Sequence, residues 1–409
     1  MREMKDSGVE WIGEIPKDWN CMRLKFAFGN SNVGESVDKE LYSSDENGYI
    51  FYTAGANPVK TSYTEFPMWK YTTDNDILLA RNGTPYIYLP SKDAVYSDHI
   101  IRINIKDGYC RRFLRYCLQR SIESIIVDSV SIATWSISLW KEQKLPLPYY
   151  HEQKYLADYL DSKCSKIDEI IEKQQAIIKK LKEYKFSIIT EAVTKGINPD
   201  VELKDSTIDM CEQIPVHWGI SQNRYLFLLR DEKNYKPLEE VRLLSLYTDL
   251  GVFPHGEQEE RGNKAVKAEG YKVVYENDIV VNIILAWMGA IGRSAYDGVT
   301  SPAYDIYKPN ENVCSRYYHY LYRTKPFSAE CYKYGRGIMA MRWRTYSSEF
   351  KSIKVPVPPY IEQCQIADYL DSKCEMLDKT IADRNKAIDI LQEYKKSLIY
   401  EVVTGKKEV

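Results

Sequence analysis

The sequence contains a long internal repeat. The heptapeptide ADYLDSK at 157–163 occurs again, unchanged, at 367–373, which is 210 positions later. Flanking motifs match at the same spacing: PLP, EQ and EYK at 146, 152 and 183, against PVP, EQ and EYK at 356, 362 and 393. A second match, offset by 199, pairs Trp19 with Trp218. Self-similarity on this scale constrains the fold more than composition does. The chain is a tandem of two half-molecules.

The two offsets differ because the segments between the repeated parts differ. Residues 20–145 (head 1) number 126 and residues 219–355 (head 2) number 137. They share little beyond a weak echo of 71–78 in 273–280. We therefore predict two different reading heads on one repeated, pseudo-twofold scaffold.

The repeated segments after each head predict long helices. Neither 152–193 nor its second copy up to residue 403 contains Gly or Pro, so a helix of about 40 residues and roughly 60 Å is expected. Apolar positions alternate in steps of three and four, the pattern of a coiled-coil seam. The predicted seam includes Leu160, Ile167, Ile171, Leu181, Leu370, Leu377, Ile381 and Leu391.

These two helices are expected to bury each other as an antiparallel intramolecular coiled coil. The alternative is that each helix packs separately on its own domain. Polar residues recur at two seam positions, Gln174/Arg384 and Lys185/Lys395, and such residues can fix the register of a coiled coil. Prolines before each helix, at 146, 148, 356, 358 and 359, are expected to stop the preceding strands.

The heads predict a mixed α/β fold. The segments 76–80 and 100–105 are apolar or β-branched and predict strands, and 111–124 predicts a helix. The expected divisions are 1–145 (first arm and head 1), 146–198 (first long helix), 199–355 (second arm and head 2) and 356–409 (second long helix).

Composition and charge limit the function only softly. Nine cysteines without a C-x-x-C pair favour reduced thiols and argue against structural zinc. No apolar run approaches 18 residues and no signal-peptide core follows Met1, so we expect a cytoplasmic protein without a membrane span. The net charge of −2 does not by itself indicate nucleic-acid binding. Head 1 carries +1 and head 2 carries +4.

Two loops are candidates for contact with DNA. Arginine and asparagine pair with guanine and adenine edges, and glycine allows a loop to approach the duplex closely. The candidate DNA-binding residues are Arg81, Asn82 and Thr84 in head 1, and Arg336, Arg342 and Arg344 in head 2. The alternative for each loop is a solvated turn. The arginines at 111, 112, 115 and 120 form a basic helix face that is either solvated or a phosphate track.

Several segments look like catalytic motifs, but none has the residues or the placement that the chemistry requires. The Pro-Pro-Tyr at 358–360 follows Val357, whereas amino-methyltransferases need a polar side chain there to hold the amine. The Glu-Tyr-Lys at 183–185 lies within a predicted helix, not on the adjacent strand positions of a metal-dependent nuclease. No phosphate-binding Gly-x-x-x-x-Gly-Lys is present, and the five histidines lack metal-ligand spacing.

The chain resembles the specificity (S) subunit of type I restriction–modification enzymes over its whole length. The resemblance rests on SGVEWIGEIP at 7–16 with Trp19, on the repeated PLP, EQ and ADYLD motifs, and on EAVTKG at 191–196 with EVVTGK at 401–406. The second arm departs from the pattern, since Met-Cys-Glu at 210–212 replaces Trp-Ile-Gly.

The resemblance implies a non-catalytic DNA-binding subunit. Each head would read one half of a bipartite site in double-stranded DNA. The helices would set the gap and dock two methyltransferase subunits, so the resemblance assigns the seam residues given above to the spacer and to partner docking. S-adenosylmethionine, ATP and Mg²⁺ are expected in partner subunits, with restriction/translocase subunits completing the complex, and no cofactor or metal in this chain. Two alternative functions fit the sequence less well. A fused enzyme lacks the motifs, and a coiled-coil adaptor without DNA reading does not need two large heads.

Overall fold

The computed structural model describes residues 2–43, 48–128, 134–248, 250–256, 268–337 and 343–409. The chain divides into two compact units. Unit 1 comprises Met1–Gln175 with Asn385–Val409, and unit 2 comprises Ala176–Arg384. Each unit therefore contains one head and parts of both repeated segments.

Unit 1 has a mixed α/β head. Its strands are β1 (Met4–Asp6), β2 (Glu14–Pro16), β3 (Asn20–Arg23), β4 (Phe28–Val33), β5 (Tyr42–Ser43), β6 (Tyr49–Tyr52), β7 (Val59–Thr61), β8 (Asp76–Ala80), β9 (Ile87–Tyr88), β10 (Val95–Tyr96), β11 (Ile100–Ile105) and β12 (Lys144–Leu147). Its helices are α1 (Arg111–Asp128), α2 (Ile137–Lys141) and the first part of α3 (Tyr150–Lys195), with short 3-10 turns at Leu24–Phe26, Lys39–Leu41 and Met68–Lys70.

The core of head 1 is a four-stranded antiparallel sheet in the order β4-β11-β8-β9. Every residue of β8 is buried, and the residues of β11 alternate between buried and partly buried. This is the pattern of a strand covered on one face by the core. Helix α1 contributes Phe113, Leu114 and Cys117 to that core. The two strands and the helix predicted in this head are confirmed.

Unit 2 is built on the same plan. Its strands are β13 (Leu203–Ile208), β14 (Cys211–Pro215), β15 (Gly219–Gln222), β16 (Phe227–Arg230), β17 (Leu244–Tyr247), β18 (Gly251–Pro254), β19 (Lys272–Val274), β20 (Ile279–Asn282), β21 (Ile291–Arg293), β22 (Gly298–Thr300), β23 (Tyr304–Pro309) and β24 (Lys354–Val357). Its helices are α4 (Asn223–Leu226), α5 (Ser315–Tyr322), α6 (Lys325–Tyr334), α7 (Ser347–Ser352) and the first part of α8 (Tyr360–Val403), with 3-10 turns at Leu238–Glu240 and Ala286–Met288.

The central sheet of head 2 has the order β16-β23-β20-β21. This order matches that of head 1 strand for strand, because β16, β23 and β20 occupy the places of β4, β11 and β8. The heads differ outside this sheet. Head 1 adds a second four-stranded sheet, β10-β6-β7-β5, whereas head 2 adds the separate pairs β17-β18 and β19-β22. The weak sequence echo thus marks the shared sheet, and the differing residues lie around it.

Each arm forms a two-stranded hairpin that packs on the hydrophobic core of its unit. In unit 1, β1 pairs with β2 and buries Ile15 and Trp19. In unit 2, β13 pairs with β14 and buries Ile214 and Trp218. The departure from the repeat in the second arm does not loosen it, since Met210 is buried in the same core.

The two predicted long helices are present as α3 and α8, and they pack together. Within unit 1 they run antiparallel. Trp19 contacts Glu152, near the start of α3, and lies beside Gly405, just after the end of α8. Further along both helices, Lys395 of α8 contacts Asp168 of α3. Within unit 2 the same arrangement recurs, with Lys185 on Asp378. The polar seam lysines therefore carry an ion pair to the opposite helix in each unit.

The predicted seam residues lie inward. Four are buried and four are partly buried, and none is exposed: Leu160, Ile167, Leu370 and Leu377 in the first group, Ile171, Leu181, Ile381 and Leu391 in the second. Inward burial is what a helix pair requires of its seam. The exposed surfaces of both helices are formed by other residues.

The prediction that prolines stop the strands before each helix was wrong for the first proline of each set. Pro146 lies inside β12 and pairs with Cys21, and Pro356 lies inside β24 and pairs with Ile220. Both strands belong to two-stranded sheets. An edge strand tolerates proline because the missing N–H can face away from its neighbour.

Candidate nucleic-acid interface

The candidate loop of head 1 leaves the end of β8. The backbone carbonyl of Arg81 accepts a hydrogen bond from the N–H of Trp135 at 2.6 Å, so this loop lies beside the segment that follows α1. The guanidinium of Arg81 donates to the carbonyl of Asp98 at 3.3 Å, and the amide of Asn82 lies 2.9 Å from Nδ1 of His99. Thr84 is exposed at the tip. These contacts hold polar side chains at one corner of the head.

Head 2 has the same corner. The N–H of Thr345 donates to the carbonyl of Ile283 at 2.9 Å, and Ile283 follows β20 as Arg81 follows β8. The segment before Thr345 includes a backbone bridge between Arg336 and Arg344. The two loops chosen from the sequence, which looked unrelated, therefore belong to equivalent corners. Arg342 lies outside the described residues.

The sequence analysis missed part of the head 2 corner. The loop after β20 carries Leu285, Trp287 and Met288, and helix α6 adds Tyr332. Leu285, Met288 and Tyr332 are exposed, and Trp287 is partly exposed. The weak similarity between 71–78 and 273–280 could have located them, because its register aligns this loop with the one that begins at Arg81 in head 1.

A repeated set of contacts fixes each head on its long helix. The buried side chain of Gln153 accepts a hydrogen bond from the N–H of Cys110 at 2.8 Å and donates to the carbonyl of Pro148 at 2.9 Å. In unit 2, Gln363 makes the same pair of bonds at 2.8 Å each, to Cys314 and Pro358. The repeated Glu-Gln motif is explained by this junction.

The first arginines of α1 serve the junction as well. Arg112 donates to Asp158 and Asp161 at 2.6 Å each. Arg111 donates to the carbonyls of Asp76 and Pro90. Arg316 repeats the contacts of Arg112 on Asp368 and Asp371 of unit 2. Arginines engaged in this way are structural, and a continuous phosphate track along α1 is not supported.

A tyrosine completes each junction. Tyr116 donates to Asp161 at 2.7 Å, and Tyr320 donates to Asp371 at 2.6 Å. Burial, together with the hydrogen bond to a carboxylate, raises the pKa of both phenols. Each tyrosine therefore stays protonated and acts as a permanent donor to its aspartate.

Unit 1 also contains a cleft of about 720 Å³ between α1 and the long helices. Its acidic residues outnumber its basic ones, with Asp161, Asp168, Glu169 and Glu172 against Arg115 and Lys395. An acidic lining repels phosphates, so this cleft is unsuited to hold a DNA backbone.

Among the described residues, no group of His, Cys, Asp and Glu is arranged to hold a metal ion. In the same part of the chain, no helix combines the length and apolar character that a membrane span requires. All nine cysteines are free thiols, and Cys164 and Cys374 are buried on the long helices.

Together these features describe a protein with two different α/β heads, each fixed by the same junction to a pair of long helices. The family model described as the type I restriction modification DNA specificity domain matches residues 16–191. Two proteins of Methanocaldococcus jannaschii named as type I restriction enzyme specificity subunits, MjaX and MjaVIII, are 25% and 23% identical to the chain. Each alignment covers 97% of this chain, and 96% and 94% of those proteins.

Solved structures share the fold. A chain from a structure of complex assembly and conformational transition in a type I restriction–modification system has a TM-score of 0.68 at 12% identity, over 96% of this chain and 99% of that one. The HsdS subunit from Thermoanaerobacter tengcongensis has a TM-score of 0.50 at 13% identity, over 96% and 98%. Residues 16–191 therefore match the type I restriction–modification DNA specificity domain, and over nearly its whole length the chain is similar to specificity subunits, which are non-catalytic components of these systems.

Proposed function

We propose that this specificity subunit reads a bipartite site in double-stranded DNA, with head 1 on one half and head 2 on the other. The observation that carries the proposal is the pairing of equivalent corners on one shared sheet plan, formed by Arg81 and Asn82 in one head and by Arg336 and Arg344 in the other. Thr84 and Arg342 complete the proposed contact set. Side chains of these types pair with base edges or phosphates.

The long helices would set the distance between the two half-sites. A continuous helix converts residue number into length at 1.5 Å per residue. The buried seam residues of α3 and α8 keep the pair rigid, which supports this role. Insertion of four residues near Gln174 is expected to lengthen the gap and to leave both half-sites intact. An unchanged gap would remove the spacer role.

Two methyltransferase subunits would dock at repeated positions of the chain. Because the seam residues are turned inward, docking requires other side chains. Tyr184 and Tyr394 stand at corresponding places of the two copies and are exposed by 58% and 52%. Identical partners need identical patches, and tyrosine is enriched in interfaces. The double variant Y184A/Y394A is expected to fold but to lose one or both methyltransferase subunits in size-exclusion chromatography with light scattering.

The remaining components would come from the partners. S-adenosylmethionine would bind the methyltransferase subunits, and ATP with Mg²⁺ would serve restriction/translocase subunits. The complex would act in the cytoplasm, where the DNA is. The domain divisions 1–145, 146–198, 199–355 and 356–409 remain our functional partition of the chain into two reading parts and two spacers.

Methylome sequencing tests the proposal directly. Cells that express this chain with the methyltransferase encoded beside it are compared with cells that express the methyltransferase alone. We expect a split motif with N6-methyladenine in both halves, present only when this chain is present. A soluble complex without new methylation would contradict DNA reading and would favour an adaptor.

A further inference from the structure

Head 2 exposes a cluster of apolar side chains, which we call the apolar corner: Leu285, Trp287, Met288, Tyr332 and Trp343. Leu285 precedes the 3-10 turn Ala286–Met288, Met288 is its last residue, and Gly289 closes it at a φ of 87°. Leu285 is 37% exposed, Met288 52% and Tyr332 50%. Several large apolar side chains exposed on one loop and the helix beside it are typical of an interaction site.

The aromatic rings of the apolar corner support one another. Tyr332 stacks on Trp343 with ring centroids 4.9 Å apart and meets Trp287 at 5.8 Å. Gly335 makes room for the stack, because a Cβ there would lie 2.5 Å from the indole nitrogen of Trp343. The patch is therefore held in place before any ligand binds.

The polar groups of the two indoles are already used. The ring N–H of Trp287 donates to the carbonyl of Ile284 at 3.0 Å, and that of Trp343 donates to the carbonyl of Tyr332 at 3.0 Å. Leucine and methionine add no strong donor. The exposed parts of Leu285, Trp287, Met288 and Trp343 can thus make van der Waals contact but cannot read a hydrogen-bond pattern, and within the apolar corner the phenol of Tyr332 is the polar group.

The corresponding corner of head 1 has the opposite chemistry. There the loop after the central strand presents Arg81 and Asn82, and the amide of Asn82 contacts His99. In head 2 the same loop begins with Ile283 and Ile284 and continues into the apolar corner. Positive charge is adjacent in head 2 on Arg336 and Arg344, whose backbones form a bridge beside Trp343.

We propose that head 2 recognises thymine methyl groups in the major groove through Leu285 and Met288 on the apolar corner, whereas head 1 reads its half-site through hydrogen bonds. This inference rests on the proposed function. Among the base edges of the major groove, the C5 methyl of thymine is the apolar group, and apolar side chains contact it. Arg344, and Arg336 once it exchanges its ion pair with Glu349 for a phosphate, would supply positive charge beside the corner.

Replacement of thymine by uracil isolates this contact, since it removes the methyl and keeps base pairing. Affinity of the chain–methyltransferase complex is measured on its split site with uracil in one half-site at a time, leaving the pair that holds the methylated adenine unchanged. Burial of one methyl corresponds to about a fourfold change in affinity. We expect a loss of about that size per methyl in the half-site of head 2, and no loss in the other.

The variant L285A/M288A identifies the side chains responsible. It is expected to bind thymine and uracil sites of head 2 equally. The matched control is M68A, which removes a methionine from head 1 that is 91% exposed and should leave the uracil effect unchanged. A uracil effect that persists in L285A/M288A overturns the assignment.

Other results separate this inference from the proposed function. A complex that binds a split motif without any response to uracil refutes the methyl contact and leaves bipartite reading intact. Absence of a split motif refutes both. Loss of methyltransferase binding by L285A/M288A, with DNA affinity of the residual complex unchanged, assigns the corner to a protein partner and refutes the inference.

Discussion

Gln153 accepts a hydrogen bond from the backbone N–H of Cys110 at 2.8 Å and is 1% exposed. The bond joins the start of α1 to the first turn of α3, and its second bond, to Pro148, closes the turn before the helix. One side chain thus ties the head, the entry strand and the spacer together. The same junction recurs at Gln363. Orientation of each head on its helix depends on this buried amide.

Replacement of Gln153 by alanine should therefore destabilise unit 1. The substitution leaves the N–H of Cys110 and the carbonyl of Pro148 without partners, and each buried unsatisfied group costs about 1–3 kcal/mol. We expect the free energy of unfolding, measured by urea denaturation, to fall by about 2–4 kcal/mol. Gln175→Ala on the exposed face of the same helix is the control and should change it by less than about 0.5 kcal/mol. Equal effects of the two substitutions would contradict the junction.

A buried ion pair stabilises head 2 in the same way. Asp278 is 1% exposed, accepts from Nε of Arg230 at 2.9 Å, and also accepts from the N–H of Tyr275 at 2.9 Å. Its loss leaves the guanidinium with only a longer ion pair, to Glu232 at 3.7 Å, and leaves the N–H of Tyr275 without its acceptor, and breaking a buried pair costs about 3–5 kcal/mol. Asp278→Ala should lower the denaturation midpoint by a corresponding amount, whereas the exposed Asp231→Ala should not. A small effect of Asp278→Ala would show that Arg230 is solvated.

Stability should depend on pH through His319. Burial, with the nearby guanidiniums of Arg323 and Arg293, lowers the pKa of His319 to about 3, and its Nδ1 accepts from the N–H of Arg293 at 3.1 Å. In the unfolded chain a histidine titrates near 6.5. Between these values the unfolded state binds the extra proton, so stability falls as pH falls, by up to about 1.4 kcal/mol per pH unit.

The variant H319Q isolates that contribution, because glutamine can accept a hydrogen bond but does not titrate. Urea denaturation at several pH values from 8 to 4 should give a shallower decline for H319Q than for the wild type. At pH 8 histidine is neutral in both states, and the difference between the two proteins there measures the substitution itself. Parallel curves across the range would mean that His319 carries a proton in the folded state.

The ion pairs between the long helices should respond to charge reversal. Lys395 lies 2.6 Å from Asp168, and both side chains are partly exposed. Pairs of this kind contribute about 0.2–1 kcal/mol. Lys395→Glu should therefore destabilise unit 1 slightly, and the double variant K395E/D168K should recover the loss in a double-mutant cycle. The exposed Lys166→Glu controls for a change of charge alone. Failure of the double variant to recover would show that the lysine acts through its stem.

How far the sequence predicts this protein depends on the range of the pattern. Leu160 and Leu370 could be assigned to a buried seam because helical periodicity is local and occurs twice. The strand β8 was predicted correctly because four apolar residues follow Asp76 without interruption. In contrast, the sequence does not show which loops come into contact in the fold. The contact of Ile283 with Thr345 joins residues 62 positions apart, and no local pattern encodes it.

The apolar corner could not be separated from core by composition. Trp287 and Met288 have the residue types of a buried segment, and only their place after β20 turns them outward. Likewise, the sequence placed Arg112 on a basic helix face, whereas in the structure its guanidinium donates to two aspartates of α3. Local pattern gives the frame of the molecule, and long-range packing decides which side chains remain free to bind.

Exchange of head 1 tests the modular reading of both half-sites. Residues 20–145 begin in β3 and end in β12, two strands that pair with each other. The incoming head from a related specificity subunit must supply a backbone N–H for Gln153 in place of that of Cys110, and an arginine for Asp158 and Asp161 in place of Arg112. Methylome sequencing should show a new sequence in one half of the site, with the other half and the gap unchanged. The unchanged half is then the half read by head 2, where the thymine contacts are expected. A change in both halves, or in the gap, would mean that the heads do not read independently.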